Sequence, residues 1–475
     1  MGIQNGDIRD GLVTFRTSQG LEVRATLLRL TRYAATIEVY GADIVIRSSE
    51  VLAEFKVFVR DQPVYSGRSV VQQAVNTGTA TVCQMVLDDS CFDVGFFAAM
   101  GQNREMPQRF AEFLGEWEKV CKVRPEFKLA VADIETFLLG LRRWMEQVEL
   151  GIRSSPTSNR VQQERAVVDE LAPQAISVLD ALFERFEALA GDLEDDVRPL
   201  HRNYIQRHLH PIVLCAPFAY RSYQKPLGYA GDYEMVNMML RDPQEGTSLF
   251  AKVFNVWLLH QGSAAAHRNR SALLKQRLIE EAATAARAGR KARILNLGCG
   301  PACEIQDFMA ESELSEWTQF TLMDFNDETL QHAGQVLRRK QLEHRRSTSI
   351  ELVKKSVQQL LKDMVRADGL SRGKSFDFIY CAGLFDYLPD RTCRRLMTLL
   401  YHSLAPSGLV LATNVTPFNP NRGSLELILD WHLIYRDAAQ LAALRPEGLP
   451  EEAVRIHSDL TGVNVFLEAR NTNGS

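Results

Sequence analysis

The sequence has no long apolar segment, no cysteine framework and no apolar leader. No run approaches the roughly 18 consecutive apolar residues of a membrane-spanning helix, so no membrane span is expected. The eight cysteines contain no C-x-x-C pair and no short regular spacing, which favours reduced thiols over a disulfide framework. The N-terminal residues MGIQNGDIRDG lack the apolar core of a secretory signal. These absences together predict a cytoplasmic protein.

A charge excess of either sign is also missing. The 475 residues include 55 Lys plus Arg and 59 Asp plus Glu, a formal net charge of −4. This balance gives no global reason to bind nucleic acid, and no nucleic-acid partner is expected. Hydrophobic residues at 45% and charged residues at 24% are typical of globular proteins, which excludes a disordered or fibrous chain. At roughly 100–200 residues per domain, the length predicts two to four domains.

Residues 1–95 carry the period of two that is typical of β-strands. Short runs rich in Val, Thr, Phe and Tyr occupy residues 22–30, 35–40, 54–59 and 80–87, with turn residues between them. Several short strands with frequent turns predict a small β-barrel or sandwich.

Residues 96–260 change to the period of 3.6 that predicts a helical domain. Amphipathic helices are predicted over residues 108–121, 128–149 and 161–189, and Pro173 is expected to start a new helix or to kink the third one. The long apolar stripe of that helix fits either packing within the chain or the seam of a homodimer, and both remain open.

Three histidines in the helical region, His201, His208 and His210, invite a zinc interpretation. No Cys or carboxylate completes a pattern of metal ligands around them, and His210 precedes Pro211. We therefore expect no metal site.

In residues 261–475 apolar strands alternate with helices. The predicted strands are residues 293–297, 320–323, 350–353, 376–381 and 408–413, followed by a hairpin of residues 454–458 and 464–468. Continuous apolar strands spaced by helices predict a parallel sheet that is covered on both faces.

A glycine-rich turn follows the first of these strands. Gly298 and Gly300 stand between the strand and a helix, where glycines permit positive φ and let a ligand lie on bare backbone. Asp324 ends the second strand, 24 residues beyond Gly300, where a carboxylate can accept hydrogen bonds from ribose hydroxyls. A purely structural turn and a solvated aspartate are the alternatives, and the two features together favour a nucleoside site.

The spacing of the turn favours S-adenosyl-L-methionine over a dinucleotide. A dinucleotide-binding turn requires a third small residue at the position of Cys303, so that helix and strand can pack closely. Here the order is Gly298-x-Gly300-x-Ala302, and the closing hairpin does not belong to the dinucleotide fold.

In these features residues 293–470 resemble the class I S-adenosylmethionine-dependent methyltransferases. The resemblance implies an enzyme with a Rossmann-like domain, a mostly parallel seven-stranded sheet and S-adenosyl-L-methionine as cofactor. It also implies that a set of residues lies along the methionine, ribose and adenine parts of the cofactor: Asn296, Gly298, Gly300, Asp324, Phe325, Ser356 and Val357. Asn296 departs from the acidic residue that the family has there, and Glu304 and Asp232 are the candidates to replace that residue.

The segment after residues 376–381 would border the reacting methyl group, because ligands lie at the carboxyl ends of such strands. We assign Cys381 and Gly383 to cofactor binding, and Asp386 and Tyr387 to catalysis. The alternative is a loop packed by its own aromatic side chains.

Charged and aromatic residues elsewhere supply further candidates. Arg268, together with Arg270 on the same predicted helix, is expected to pair with a carboxylate of the cofactor or the substrate, unless both are solvated. Tyr229 lies in a loop rich in glycine and tyrosine and is assigned to catalysis. His432 is a candidate base, and a structural histidine is the alternative.

Two motifs narrow the resemblance: residues 225–235 (KPLGYAGDYEM) and residues 382–388 (AGLFDYL). They are similar to a bacterial group assigned to biosynthesis of the quorum-sensing signal 3-hydroxypalmitic acid methyl ester. This implies methyl transfer to a small fatty-acyl carboxylate. Such a nucleophile is already ionised at pH 7, so alignment and desolvation can suffice without a strong base.

Residues 10–90 resemble PilZ domains, which bind cyclic di-GMP through an arginine-rich arm and an Asp/Asn-x-Ser-x-x-Gly turn. The best counterpart here has Arg29, Thr31 and Ala34 at the three defining positions, so we do not expect cyclic di-GMP binding. We expect a docking or dimerisation role instead. The prediction for the whole chain is a methyltransferase of a small acceptor. The alternatives are a non-catalytic sensor of S-adenosylmethionine and a methyltransferase of a protein or another small molecule.

Overall fold

A computed structural model describes residues 11–88 except 32, 41–43, 45, 60–61 and 77–79, and then residues 122–154, 159–365 and 375–471. The helix predicted over residues 108–121 lies outside these described residues. The chain divides into two compact units, each built from separate stretches. Unit 1 comprises Met1–Ala230, Asp242–Gln261 and Pro420–His432, and unit 2 comprises Gly231–Arg241, Gly262–Asn419 and Leu433–Ser475.

Unit 1 contains a closed β-barrel in the strand order β1-β2-β3-β6-β5-β4. Its strands are β1 (Gly11–Arg16), β2 (Glu22–Leu30), β3 (Ala34–Tyr40), β4 (Val51–Val59), β5 (Gln62–Asn76) and β6 (Ala80–Leu87). Buried and accessible residues alternate along β2 and β3, so every second side chain enters the apolar interior. The predicted small barrel is confirmed, although the sequence pattern missed β1 and β5.

Outside the barrel, the described part of unit 1 is mainly helical. They are α1 (Pro125–Ser154), α2 (Arg160–Gly191), α3 (Arg198–Val213), α4 (Pro217–Gln224) and, after one helix of unit 2, α6 (Leu249–His260). The rings of Phe127 in α1 and Phe186 in α2 lie 5.6 Å apart, and Phe183 lies 4.4 Å from Trp257 in α6. The side of α2 that carries Phe183 and Phe186 therefore packs against α1 and α6, whereas Val178 of the same apolar stripe is 43% exposed.

Of the two alternatives predicted for Pro173, a new helix or a kink, the structure rules out the first. That residue lies inside α2, which is one helix of 32 residues. Proline removes one backbone donor and hence one hydrogen bond of the helix. The packing of Val168, Leu179 and Phe186, all fully buried, outweighs that loss.

A buried charge network joins the barrel to the helices of unit 1. The Asp430 carboxylate, which is fully buried, accepts hydrogen bonds from Arg68 Nη1 of β5 at 2.9 Å and from Arg202 Nη2 of α3 at 2.7 Å. Gln206 Nε2 donates to the same carboxylate at 2.8 Å. Lys225 Nζ donates to the carbonyl of Leu429 at 2.9 Å, and burial holds the pKa of this amine well below its usual range. The Asp430 carboxylate thus accepts hydrogen bonds from three side chains, those of Arg68, Arg202 and Gln206.

Unit 2 contains a seven-stranded sheet in the order β12-β13-β11-β10-β7-β8-β9. Its strands are β7 (Ala292–Leu297), β8 (Thr318–Asp324), β9 (Ser349–Lys354), β10 (Phe376–Cys381), β11 (Leu404–Val415), β12 (Val454–Ser458) and β13 (Asn464–Arg470). Strands β7 to β11 pair in parallel, whereas β13 runs antiparallel to both β11 and β12. The predicted Rossmann-like layout is confirmed.

The helices of unit 2 are α5 (Tyr233–Leu240), α7 (Gly262–Arg287), α8 (Cys303–Glu311), α9 (Asp327–Glu343), α10 (Val357–Val365), α11 (Asp390–His402) and α12 (Ala438–Ala442). All six residues of β10 are buried, as expected for a central strand covered on both faces. No helix among the described residues combines the length and the apolar character needed to cross a membrane.

Candidate functional site

The carboxyl ends of three neighbouring parallel strands define the candidate site. Strand β7 lies between β8 and β10, so the turns that follow these strands meet at one edge of the sheet. Open α/β sheets bind their ligands at such an edge. Most of the residues that the sequence singled out within unit 2 end or follow these strands. Ser356 and Val357 follow β9, and Arg268 and Arg270 lie on α7.

The glycine turn leaves its backbone uncovered. Gly298 and Gly300 have φ of +70° and +52°, values that glycine adopts without strain. A Cβ added to Gly300 would meet no atom within 4 Å, and one added to Gly298 would be 3.8 Å from Leu384. Ala302, where the resemblance expects a third glycine, also has a positive φ of +52°. The space next to Gly300 on the side of its missing side chain is therefore open.

The Asp324 carboxylate is directed at this turn. Its side chain is largely buried, with the residue 7% exposed, and Oδ2 accepts a hydrogen bond from the Gly300 N–H at 3.4 Å. Oδ1 accepts from the Asn326 N–H at 3.0 Å. A carboxylate placed beside an open glycine turn has the geometry to receive ribose hydroxyls.

The residues predicted to border an adenine lie next to Asp324. Phe325 follows it and is partly exposed, and the Lys355 N–H donates to the Asp324 carbonyl at 2.9 Å. The Ser356 hydroxyl accepts from the Gln359 N–H at 3.2 Å, so this side chain caps the first turn of α10. Val357 is buried at the start of that helix.

Of the two candidates to replace the acid that is absent at position 296, Glu304 on the next helix lies in contact with Asn296. Asn296 Nδ2 donates to Glu304 Oε1 at 3.0 Å, and the Tyr380 hydroxyl donates to the same oxygen at 2.6 Å. Burial raises the pKa of the Glu304 carboxyl, and the hydrogen bond from Tyr380 opposes that rise. Asp232, the other candidate, instead caps α5 by accepting from the N–H groups of Glu234 and Met235 at 3.0 Å.

Of the two arginines that the sequence singled out on α7, Arg270 faces the glycine that follows β10. A Cβ on Gly383 would lie 3.0 Å from Arg270 Nη1, and this nitrogen is buried without a hydrogen-bond partner among the described residues. Arg268 Nη1 instead donates to the carbonyl of Met239 at 3.2 Å, which ties α7 to α5. The expected role of Arg268 in binding the cofactor stays a prediction.

Two hydrogen bonds to β11 hold the turn after β10 in place, one from the Gly383 backbone and one to the Asp386 side chain. The Gly383 N–H donates to Thr413 Oγ1 at 2.9 Å, and Asp386 Oδ1 accepts from the Val415 N–H at 2.7 Å. Burial raises the pKa of the Asp386 carboxyl to about 6. The Cys381 thiol is buried and its pKa is raised, so it stays protonated, while Tyr387 is partly exposed.

Asp386→Asn is expected to stabilise the protein above pH 6 and to change little at pH 4. The folded pKa of about 6 exceeds the unfolded value near 3.9, so ionisation favours the unfolded chain. This penalty is absent below about pH 4, grows towards pH 6 and amounts to about 1–3 kcal/mol above it. The asparagine oxygen can still accept from Val415. Urea unfolding at pH 4.5 and 7.5 measures the difference, and a variant no more stable than wild type at pH 7.5 contradicts the assignment.

The other two predicted catalytic residues, Tyr229 and His432, belong to unit 1. Tyr229 follows Gly228, whose carbonyl accepts from the Val51 N–H at 2.8 Å. His432 is buried, and burial lowers the pKa of its imidazole to about 4, so the ring is neutral at pH 7. The Ser49 hydroxyl donates to the His432 carbonyl at 2.7 Å. Their catalytic roles stay predictions.

Sequence reasoning missed Tyr380 as part of the site. A tyrosine in the middle of a buried strand has the same sequence signature as a core aromatic residue. Among the described residues no group of three or more His, Cys, Asp and Glu could hold a metal ion. His201, His208 and His210 have separate partners, namely the Arg124 N–H, Glu135 and the Ile428 carbonyl.

The fold and the site together define a Rossmann-like domain with a nucleoside-type crevice at the carboxyl edge of its sheet. Residues 266–447 match the family model described as a methyltransferase domain. The prediction of a methyltransferase domain in this part of the chain is confirmed, and S-adenosyl-L-methionine, the predicted cofactor, is consistent with it. No curated protein sequence matches the chain.

Solved structures give distant likenesses. A possible exported protein from Bordetella parapertussis is 15% identical, with 67% of this chain and 99% of that chain covered and a TM-score of 0.41. The N-methyltransferase NodS from Bradyrhizobium japonicum WM9, in complex with S-adenosyl-L-homocysteine, is 14% identical, with coverages of 50% and 97% and a TM-score of 0.30. Magnesium protoporphyrin IX methyltransferase from Synechocystis PCC 6803 with bound SAH is 12% identical, with coverages of 53% and 97% and a TM-score of 0.34. The class of the domain therefore comes from the family match.

Proposed function

We propose that unit 2 binds S-adenosyl-L-methionine and transfers its methyl group to a small acceptor that carries a carboxylate or a hydroxyl. The observation that supports this most strongly is the uncovered turn at Gly300 with the Asp324 carboxylate bonded to its N–H. In this proposal Asp324 accepts the ribose hydroxyls, and Phe325 and Val357 border the adenine. Glu304, held by Asn296 and Tyr380, receives the ammonium group of the methionine part.

The residues after β10 would align the acceptor. S-adenosylmethionine supplies an electrophilic methyl group, and the protein needs only to position a nucleophile in line with it and to exclude water. Gly383 permits close approach because it lacks a side chain, and Asp386 fixes the turn through Val415. A carboxylate acceptor needs no base at pH 7. A hydroxyl acceptor would require a proton acceptor, for which Asp386, Tyr387, Tyr229 and His432 are the proposed candidates.

Asp324→Ala is expected to weaken binding of S-adenosylhomocysteine by about 1–3 kcal/mol, since the buried carboxylate would no longer meet the ribose. Isothermal titration calorimetry measures the affinity. Asp327→Ala is the matched control, because this nearby aspartate has a side chain that is 60% exposed and pairs with Lys354 at the surface. Equal affinities for wild type and Asp324→Ala would refute the ribose assignment.

A non-catalytic sensor of S-adenosylmethionine is the second candidate function. Two features favour the sensor: the asparagine at position 296, and the burial of His432, which leaves no exposed base at position 432. Incubation with radiolabelled S-adenosylmethionine and lipid or protein extracts discriminates between the two. Label in an acceptor supports the enzyme, and cofactor binding without any labelled acceptor supports the sensor.

The finer proposal is a fatty-acyl carboxylate as acceptor, which rests on the motifs of residues 225–235 and 382–388. With this acceptor, the proposed role of the protein is to produce a quorum-sensing signal. The proposed role of the barrel is docking or dimerisation. Mass spectrometry of the labelled product separates a fatty-acid methyl ester from a methylated protein or another small molecule.

A further inference from the structure

We infer that Arg270 is the receptor for a carboxylate of a bound ligand at the carboxyl edge of β10. The inference rests on the proposed function and deepens it, because it names the group that the site recognises. It starts from a buried cation that has no counter-charge in contact with it.

Arg270 differs from three other buried arginines of the described residues. Arg198 pairs with Glu426, Arg202 pairs with Asp430, and Arg436 pairs with Asp390. Arg270 is 8% exposed and forms no ion pair or hydrogen bond with any described residue, and its Nη1 is completely buried. An unpaired guanidinium in such a place is costly, and a ligand that satisfies it recovers that cost on binding.

The acidic groups around Arg270 are already occupied. Asp386 and Glu304 contribute to its electrostatic environment, but neither lies within ion-pair distance of the guanidinium. Asp386 accepts from the Val415 N–H, and Glu304 accepts from Asn296 and Tyr380. The N–H donors of the Arg270 guanidinium are therefore available to an anionic group of a ligand.

The space beside Arg270 is set by Gly383. A Cβ on that glycine would lie 3.0 Å from Nη1 and 3.3 Å from Nη2, so any larger residue would push against the guanidinium. The planar fork of arginine matches the two oxygens of a carboxylate or of a phosphate. The nearby Asp386 and Glu304 favour a singly charged carboxylate over a doubly charged phosphate.

Two sources could provide this carboxylate: the methionine part of the cofactor, or the acceptor. Three probes separate them by calorimetry. S-adenosylhomocysteine carries the amino-acid carboxylate, 5′-methylthioadenosine is the same nucleoside without it, and octanoate tests the acceptor side in protein saturated with S-adenosylhomocysteine.

Arg270→Met is expected to lower affinity for the carboxylate-bearing probe by about 10- to 100-fold and to leave 5′-methylthioadenosine unchanged. A loss for S-adenosylhomocysteine assigns the carboxylate to the cofactor, and a loss for octanoate alone assigns it to the acceptor. Arg270→Lys, which keeps the charge without the fork, is expected to give an intermediate loss. Arg287→Met, at an exposed position of the same helix, is the matched control.

Two results would overturn the inference. The first is that Arg270→Met binds both S-adenosylhomocysteine and octanoate as tightly as wild type does. The other is an equal loss for 5′-methylthioadenosine, which would mean that Arg270 supports the nucleoside site through the fold. Failure of the proposed function is a separate outcome, in which wild type binds neither nucleoside. Octanoate binding to the free wild type and Arg270→Met proteins then decides the role of Arg270.

Discussion

Gly300→Ala is expected to lower affinity for S-adenosylhomocysteine by about 100-fold, the scale of loss that a displacement of about 1 Å causes in a positioned site. The added methyl group would project into open space where no protein atom lies within 4 Å, which is the space that the proposed ligand fills. The φ of +52° adds backbone strain, because only glycine adopts this region freely. Calorimetry and thermal unfolding of the same variant separate lost binding from lost stability.

Gly289→Ala is the matched control for this prediction. Gly289 follows α7, has a φ of +70° and also has open space around its missing side chain. The same backbone strain is thus introduced away from the crevice, and cofactor affinity should stay at the wild-type value. Wild-type affinity in Gly300→Ala would show that no ligand rests on this turn.

Asp430→Asn is expected to destabilise unit 1 by about 3–5 kcal/mol, the cost of breaking a buried ion pair from one side. The substitution removes the negative charge that Arg68 and Arg202 share and leaves both guanidinium groups without a counter-charge. The backbone does not account for the loss, because asparagine tolerates the φ of +51° at this position. Urea unfolding followed by tryptophan fluorescence measures the change.

An exposed ion pair provides the comparison for Asp430. Asp242 pairs with Arg165 while both side chains remain about half exposed, at 46% and 58%. Asp242→Asn should cost less than about 1 kcal/mol, as surface pairs do. If Asp430→Asn were equally mild, the buried network would contribute no more than a surface pair, and the assignment of its role would be wrong.

The sequence predicted those parts of the molecule that are encoded by neighbouring residues. The strand before Gly298, the two glycines and the acid ending the next strand form a short pattern, and the structure places Asp324 beside Gly300 as that pattern requires. Strands β10 and β12 also have the predicted bounds, and β13 extends two residues beyond its predicted end. By contrast, β5 was missed because its 15 residues include Pro63, Gly67 and several polar side chains that hide the period of two.

Contacts between distant residues could not be predicted. Asp430 meets Arg68 across 362 positions and Arg202 across 228, and no local pattern indicates either pairing. Arg268 and Arg270 are two positions apart on α7, so their side chains point to different sides of the helix. The sequence named both arginines, and only the packing of α7 against Gly383 shows which one reaches the turn.

The discontinuous make-up of unit 1 has a consequence for biosynthesis. Its barrel strands and long helices are translated first, but Pro420–His432 is translated only after five strands of the sheet of unit 2, β7 through β11. Arg68 and Arg202 are therefore translated long before Asp430, whose carboxylate neutralises them. A nascent unit 1 therefore carries an unpaired positive charge at the place where its barrel joins its helices, and this charge network cannot form until five strands of the unit 2 sheet have been translated.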